Sequence, residues 1–219
     1  RLNTAQLLDL ILIPGNPNRL RPDRNPGELM QRRLRFGASL LAEGLPDRSD
    51  SMVIAETPAT EHGRIVVAAD GSVTGTLVVN GVERQLASAR GPRLEATRLA
   101  DTVNLKESAL VAVRGFGVGT HIELLSERMG RSGVVVCFEP DVALLRAVLE
   151  RVDFTAMFSR FNVVIVTSAD DTGAMSDALH GLEGLVAAGV AIVDHPPSRS
   201  RLGSASETFA KTLLTVVQA

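Results

Sequence analysis

The run Ala109-Leu110-Val111-Ala112-Val113-Arg114-Gly115-Phe116-Gly117-Val118-Gly119 decides the fold. Five apolar residues lead into a glycine turn, and a helix-like stretch begins at Thr120. A second apolar run, Val134-Val135-Val136-Cys137-Phe138, closes on Glu139. The order is strand, glycine turn, helix, strand, acid, the skeleton of a nucleotide-binding βαβ unit. Glycine lets the chain turn sharply and brings backbone N–H groups close to a ligand, and the helix N-terminus adds positive potential. A carboxylate at the tip of the next strand, roughly 20 residues on, suits a ribose diol. Pro140 forces an extended residue before it and so ends the strand at Glu139.

Working outward, the alternation continues. Apolar runs at 109–113, 134–138, 163–167 and 190–193 read as strands, and 120–129, 141–150 and 171–187 as the helices between them. The strands are apolar throughout, as expected when helices cover both faces of a parallel sheet. Asp141 and Asp171 suit helix caps. Upstream, two β-branched runs at 64–68 and 73–79 flank Asp70-Gly71, and Asn80-Gly81 leads to a third at 82–86, which predicts an antiparallel meander. Pro92 opens a helix with Leu94, Ala96, Leu99 and Val103 assigned to one face. Before residue 52 the chain reads as a short helix at 3–12, a proline- and arginine-rich linker at 14–27, and an amphipathic helix at 28–43 with a basic face. The expected fold class is therefore α/β, a Rossmann-like (methyltransferase-like) parallel sheet preceded by a small antiparallel meander and N-terminal helices. The expected divisions are 1–51, 52–90 and 91–219.

Composition narrows the function. With 219 residues, 22% charged and 45% hydrophobic, the chain has the make-up of an ordinary globular protein. A net charge of −2 speaks against a nucleic-acid surface. Seven Phe with no Tyr or Trp leave no Tyr acid and few stacking platforms. Cys137 is the single cysteine, placed inside a central strand and read as a plain buried thiol. No apolar stretch approaches the length of a bilayer span and no signal peptide is visible, so a cytoplasmic protein is expected. Arg1 in place of a starting Met, and a helical run to Ala219, suggest a domain cut from a longer protein.

The candidate ligand-binding residues are Gly115, Gly117, Gly119, His121, Glu139 and Asp170, around a nucleotide-type ligand. Each has a plainer alternative: glycines that merely pack closely, a Glu139 that caps the next helix, an Asp170 that belongs to a capping turn, and a His121 that is a partly exposed helix residue. Asp194-His195-Pro196-Pro197 ends the fourth strand and only loosely matches the Asp-Pro-Pro-aromatic motif of amino-group methyltransferases, since His195 is inserted and Ser198 stands for the aromatic. His62, His121, His180 and His195 show no paired metal-ligand spacing, and no metal site is expected.

Two stretches together resemble a known family: Ser88-Ala89-Arg90-Gly91-Pro92-Arg93-Leu94-Glu95-Ala96, and the run from Gly115 to Phe138-Glu139-Pro140-Asp141. The order of Asp-Gly hairpin, Ser-x-x-x-Pro-x-x-Glu-Ala helix start, G-x-G-x-G-x-H turn and Glu-Pro-Asp strand end resembles the N-terminal domain of motility-associated factor (Maf) flagellin glycosyltransferases. Their central domain is similar to archaeal 6-hydroxymethylpterin diphosphokinase (MptE-like). The resemblance covers about residues 52–219, and His195-Pro196 also fits it. It implies a bacterial protein that transfers a nonulosonic sugar from a nucleotide-activated donor to Ser or Thr of flagellin. It further implies that catalysis lies in a downstream domain of the same chain, with this region as an accessory Rossmann-like domain. Where the family often has Tyr after the glycine turn, this chain has Thr120-His121. The same strand-glycine-helix-strand-acid order also resembles class I S-adenosylmethionine methyltransferases, which carry an acid two residues before the first glycine. Here that position is Val113, followed by Arg114. A non-enzymatic interaction module is the third reading.

Overall fold

A computed structural model describes residues 63–218. The helices expected at 3–12 and 28–43, the linker between them, and His62 lie outside the described residues. The fold is α/β as the alternation predicts: a Rossmann-like parallel sheet preceded by a small antiparallel meander.

The meander comprises β1 (Gly63–Val67), β2 (Val73–Val79) and β3 (Val82–Gln85), paired antiparallel in chain order. Its second turn has both Asn80 and Gly81 at positive φ, 51° and 75°. That is the signature of the hairpin turn whose twist matches its strands. Helix α1 (Pro92–Asp101) follows, with proline in its first turn. Its inward face is Pro92, Ala96 and Ala100, whereas Leu94 is 56% exposed. The expected grouping of Leu94 with Ala96 fails because residues two apart do not share a helical face.

The parallel sheet is built from β4 (Leu110–Arg114), β5 (Val134–Phe138), β6 (Asn162–Val166) and β7 (Val190–Asp194), in the order β6-β5-β4-β7. Its strands match the expected ones within a residue. Renumbered within the sheet this is 3-2-1-4, and the order reverses direction between β4 and β7, where open α/β sheets bind ligands. Side chains alternate cleanly across the two faces. Val111, Val113, Val135, Cys137, Val163 and Ile165 belong to one buried cluster, and Leu110, Ala112, Val134, Val136, Val164 and Val166 to the other. Helices α2 (Thr120–Met129), α3 (Val142–Leu149) and α4 (Thr155–Arg160) contribute to the first cluster. Helices α5 (Thr172–Leu179) and α8 (Ala205–Gln218) cover the second, where Phe138 stacks on Phe209 at 4.8 Å. Leu77, Leu86 and Ala87 of the meander region join the first cluster, so meander and sheet share one core.

Asp141 and Asp171 cap α3 and α5, accepting hydrogen bonds from Leu144 N (2.9 Å) and Ala174 N (2.8 Å). The single helix expected at 171–187 is two: α5, then α6 (Glu183–Val186), interrupted at Gly181 with φ 78°. Helices α4 and α7 (Pro196–Leu202) were not expected. The second begins with the proline pair that in sequence reads as a strand end, and proline favours a helix's first turn. Among the described residues no helix is long and apolar enough to cross a membrane.

Candidate functional site

The glycine turn leaves β4 at Gly115, whose N–H donates to the Phe138 carbonyl (2.9 Å), and enters α2 through Gly119, whose N–H donates to the Phe116 carbonyl (2.8 Å). Gly115, Gly117 and Gly119 have φ of 110°, 52° and 82°, a region that side chains rarely tolerate. Space is equally restrictive. A Cβ on Gly115 would overlap Ser198, and one on Gly119 would overlap the ring of Phe154. A Cβ on Gly117 would lie 2.6 Å from His195 Cε1 and 2.8 Å from the Leu86 carbonyl oxygen. The chain's own side chains press on all three glycines.

Glu139 stands at the tip of β5, as expected, but its carboxylate is fully buried and engaged on every side. Oε2 accepts from Phe116 N (3.1 Å) and Oε1 from Asp141 N (3.1 Å). Arg201 of α7 forks onto both oxygens, Nη1 to Oε1 and Nη2 to Oε2, each at 2.5 Å. Burial works against the Arg201 charge, but the bonds to Glu139 and its negative charge outweigh that and hold the guanidinium above its ordinary pKa. The sequence leaves Glu139 to a ribose diol or to the start of the next helix, whereas the fold also supplies it with a cation from 62 residues away.

His121, in the first turn of α2, and His195, which precedes α7, stack face to face with ring centres 4.0 Å apart and planes 5° apart. Each keeps only 3% of its surface, so the partly exposed His121 is not what the fold produces. His121 Nε2 bonds to the Gly115 carbonyl (2.9 Å) and His195 Nδ1 to the Ser198 hydroxyl (2.9 Å). Burial lowers the pKa of His121 to about 4. Burial, then the neighbouring His121 and Arg201, hold His195 well below its usual value. Both rings are neutral at pH 7.

Val113 has no exposed surface, and Arg114 Nε pairs with Asp194 at 2.7 Å, with Arg199 also on Asp194 at 3.3 Å. Asp170 does not join this group. It is exposed beyond β6, where it accepts a hydrogen bond from Ser168 (3.1 Å). Cys137 is buried, and burial, then the negative charge of Glu139, raises its thiol pKa well above normal. Among the described residues no cluster of His, Cys, Asp or Glu could hold a metal ion.

These residues do not fit an adenosyl or dinucleotide cofactor in the usual position. The ribose acid is committed to Arg201, the glycine turn is packed by Ser198, His195 and Phe154, and Val113 offers nothing to an ammonium group. Arg201 has no role in the sequence pattern, and Ser198 figures there only in the place of an aromatic. The signal that points to them is Pro196-Pro197, which starts a helix and places both residues beside the sheet edge. Beyond the His121–His195 stack a cavity of about 650 Å³ opens between α1, the start of α2 and the end of β7.

No family model matches this chain, and no curated protein matches it. Among solved structures it is similar to MnmC2 from Aquifex aeolicus at 16% identity and a TM-score of 0.31, covering 68% of this chain and 58% of that one. The chain thus spans little more than half the length of the Aquifex protein. It is also similar to fibrillarin from Aeropyrum pernix, solved in complex with natively bound S-adenosyl-L-methionine. That likeness has 14% identity and a TM-score of 0.32, and covers 73% of this chain and 87% of that one.

Proposed function

We propose that this chain is an accessory, non-catalytic Rossmann-like domain of a motility-associated protein glycosyltransferase, its nucleotide-type cleft braced shut by its own side chains. The observation that carries the non-catalytic part is the two-pronged Arg201–Glu139 pair, which occupies the carboxylate a ribose would need. A ligand would have to displace a buried charge pair, and stripping a buried carboxylate of its cation costs about 3–5 kcal/mol. The glycosyltransferase part rests on the two sequence stretches that resemble the motility-associated factor family. In this reading the domain works beside a downstream catalytic domain of the same chain, in the cytoplasm, with flagellin as acceptor.

Calorimetric titration with S-adenosylmethionine and S-adenosylhomocysteine tests the closed cleft, and neither ligand should bind. Micromolar binding of S-adenosylmethionine that Glu139→Gln abolishes would overturn this reading and install the methyltransferase, the second candidate, which the shared order of glycine turn and strand-end acid favours. For the glycosyltransferase, the test is sugar transfer to flagellin by the full-length protein supplied with a nucleotide-activated nonulosonic acid. Absence of transfer counts against that part alone.

A further inference from the structure

The cavity beside the histidine stack has the chemistry of a binding site distinct from the braced cleft. Its apolar wall includes Ala87, Pro92, Leu99 and Val118. Two helices begin on it, α1 at Pro92 and α2 at Thr120, and each has a glycine at its N-cap with no side-chain bond to its first-turn N–H groups. Uncapped N-termini present N–H donors and positive potential. Arg90 and Arg98 also line the cavity, and neither guanidinium is held by an ion pair among the described residues. The single acid on the wall, Glu95, accepts a hydrogen bond from Ser88 N at 2.5 Å.

The stacked histidines supply the independent pointer to a ligand. Both are 97% buried, both belong to the cavity wall, and each has one ring nitrogen anchored and a second without a partner among the described residues. The carbonyl anchor settles which nitrogen of His121 carries the hydrogen. His121 Nε2 faces a carbonyl, so it donates and leaves Nδ1 as an acceptor. Ser198 Oγ also receives Arg201 Nη2 at 3.4 Å, and with two lone pairs it can either donate to His195 Nδ1 or accept from it, so the free Nε2 is a donor in one tautomer and an acceptor in the other. The stack therefore offers an acceptor at His121 Nδ1 and a second hydrogen-bonding nitrogen at His195 Nε2.

We propose that this cavity binds a small hydroxylated organic anion, its carboxylate or phosphate-type group toward Arg90, Arg98 and the two helix N-termini, its apolar body on the aliphatic wall, and a hydroxyl on the histidine stack. The volume suits a ligand of modest size, within the usual range for small-molecule sites. The site does not depend on the glycosyltransferase reading and takes a different ligand from the cleft.

The test uses the full chain and four probes. Mandelate has the anion, the hydroxyl and an apolar ring; phenylacetate lacks the hydroxyl; 1-phenyl-1,2-ethanediol lacks the charge; and hydroxy(phenyl)methylphosphonate exchanges the carboxylate for a phosphorus anion. Mandelate or the phosphonate should bind, and the preferred one of the two identifies the anion. Phenylacetate and the diol should each bind about tenfold more weakly, the size of one good hydrogen bond or charge contact. Binding should shift the ring resonances of His121 and His195. Arg98→Gln should weaken the preferred anion about tenfold. Thr120→Glu should abolish its binding without loss of thermal stability, because a carboxylate at a helix start favours the helix while repelling the ligand. The proposal fails if neither anion binds, if the diol binds as tightly as mandelate, or if binding survives both substitutions.

Discussion

Left-handed glycines serve one purpose in the hairpin turns of the meander and another in the turn after β4. In the hairpin turns of the meander, Gly71 and Gly81 have φ of 81° and 75°, and a Cβ on either would meet nothing within 4 Å. Glycine serves there only to make the turn. In the turn after β4, positive φ is joined by crowding from Ser198, His195, the Leu86 carbonyl and Phe154. Glycine serves there to let the chain pack on itself. The same residue type thus answers a local demand in one region and a tertiary one in the other. A glycine pattern alone does not separate close packing from a ligand cradle.

The largest effect should come from the charge pair that locks the second region. Arg201→Ala leaves the buried Glu139 carboxylate without its cation and should cost about 3–5 kcal/mol in chemical denaturation. A loss below about 1 kcal/mol would mean that water reaches Glu139 and that the turn is not locked. Gly117→Ala comes next. Backbone strain and overpacking each cost about 1–3 kcal/mol, so the sum should be about 2–6 kcal/mol.

Acid should separate the regions as well, because the stacked histidines lie only at the second. Their folded-state pKa values are depressed, so the unfolded chain binds more protons below pH 6.5, and stability present above that pH is lost as pH falls. His121 alone, lowered from 6.5 to about 4, should contribute on the order of 3 kcal/mol across that window at about 1.4 kcal/mol per unit. Denaturation at pH 7 and pH 4.5 should show the drop, and His121→Asn should flatten it. The smallest effect is expected of Gly71→Ala, about 1 kcal/mol from the φ penalty alone. If Gly71→Ala proved as costly as Gly117→Ala, the contrast between the two turns would collapse.

Much of the fold was legible because it is written in short-range patterns. Val134–Phe138 reads as a strand buried on both faces because every residue is apolar, and Asn80-Gly81 reads as a hairpin because only a few residues accept positive φ. The break at Gly181 was hidden by flanking residues that continue a helical pattern. Helix α7 was hidden because its prolines also read as a strand's end. At the site, Gly115, Gly117, His121 and Glu139 were each visible as residues able to meet a ligand, and the structure gathers them at the end of β4. What they touch was not visible, since Arg201 reaches Glu139 across 62 residues and His195 reaches His121 across 74.

By itself, then, the sequence determined the alternation of strands and helices, the places where the chain must turn, and a carboxylate at the end of β5. Those depend on periodicity and local backbone sterics, which neighbouring residues settle among themselves. Tertiary structure alone decided that Glu139 is neutralised by Arg201, that the glycines face side chains, and that two histidines share one buried stack beside a basic cavity. Those are pairings between distant segments, and they follow from how β7 and α7 dock against β4, which no local pattern specifies.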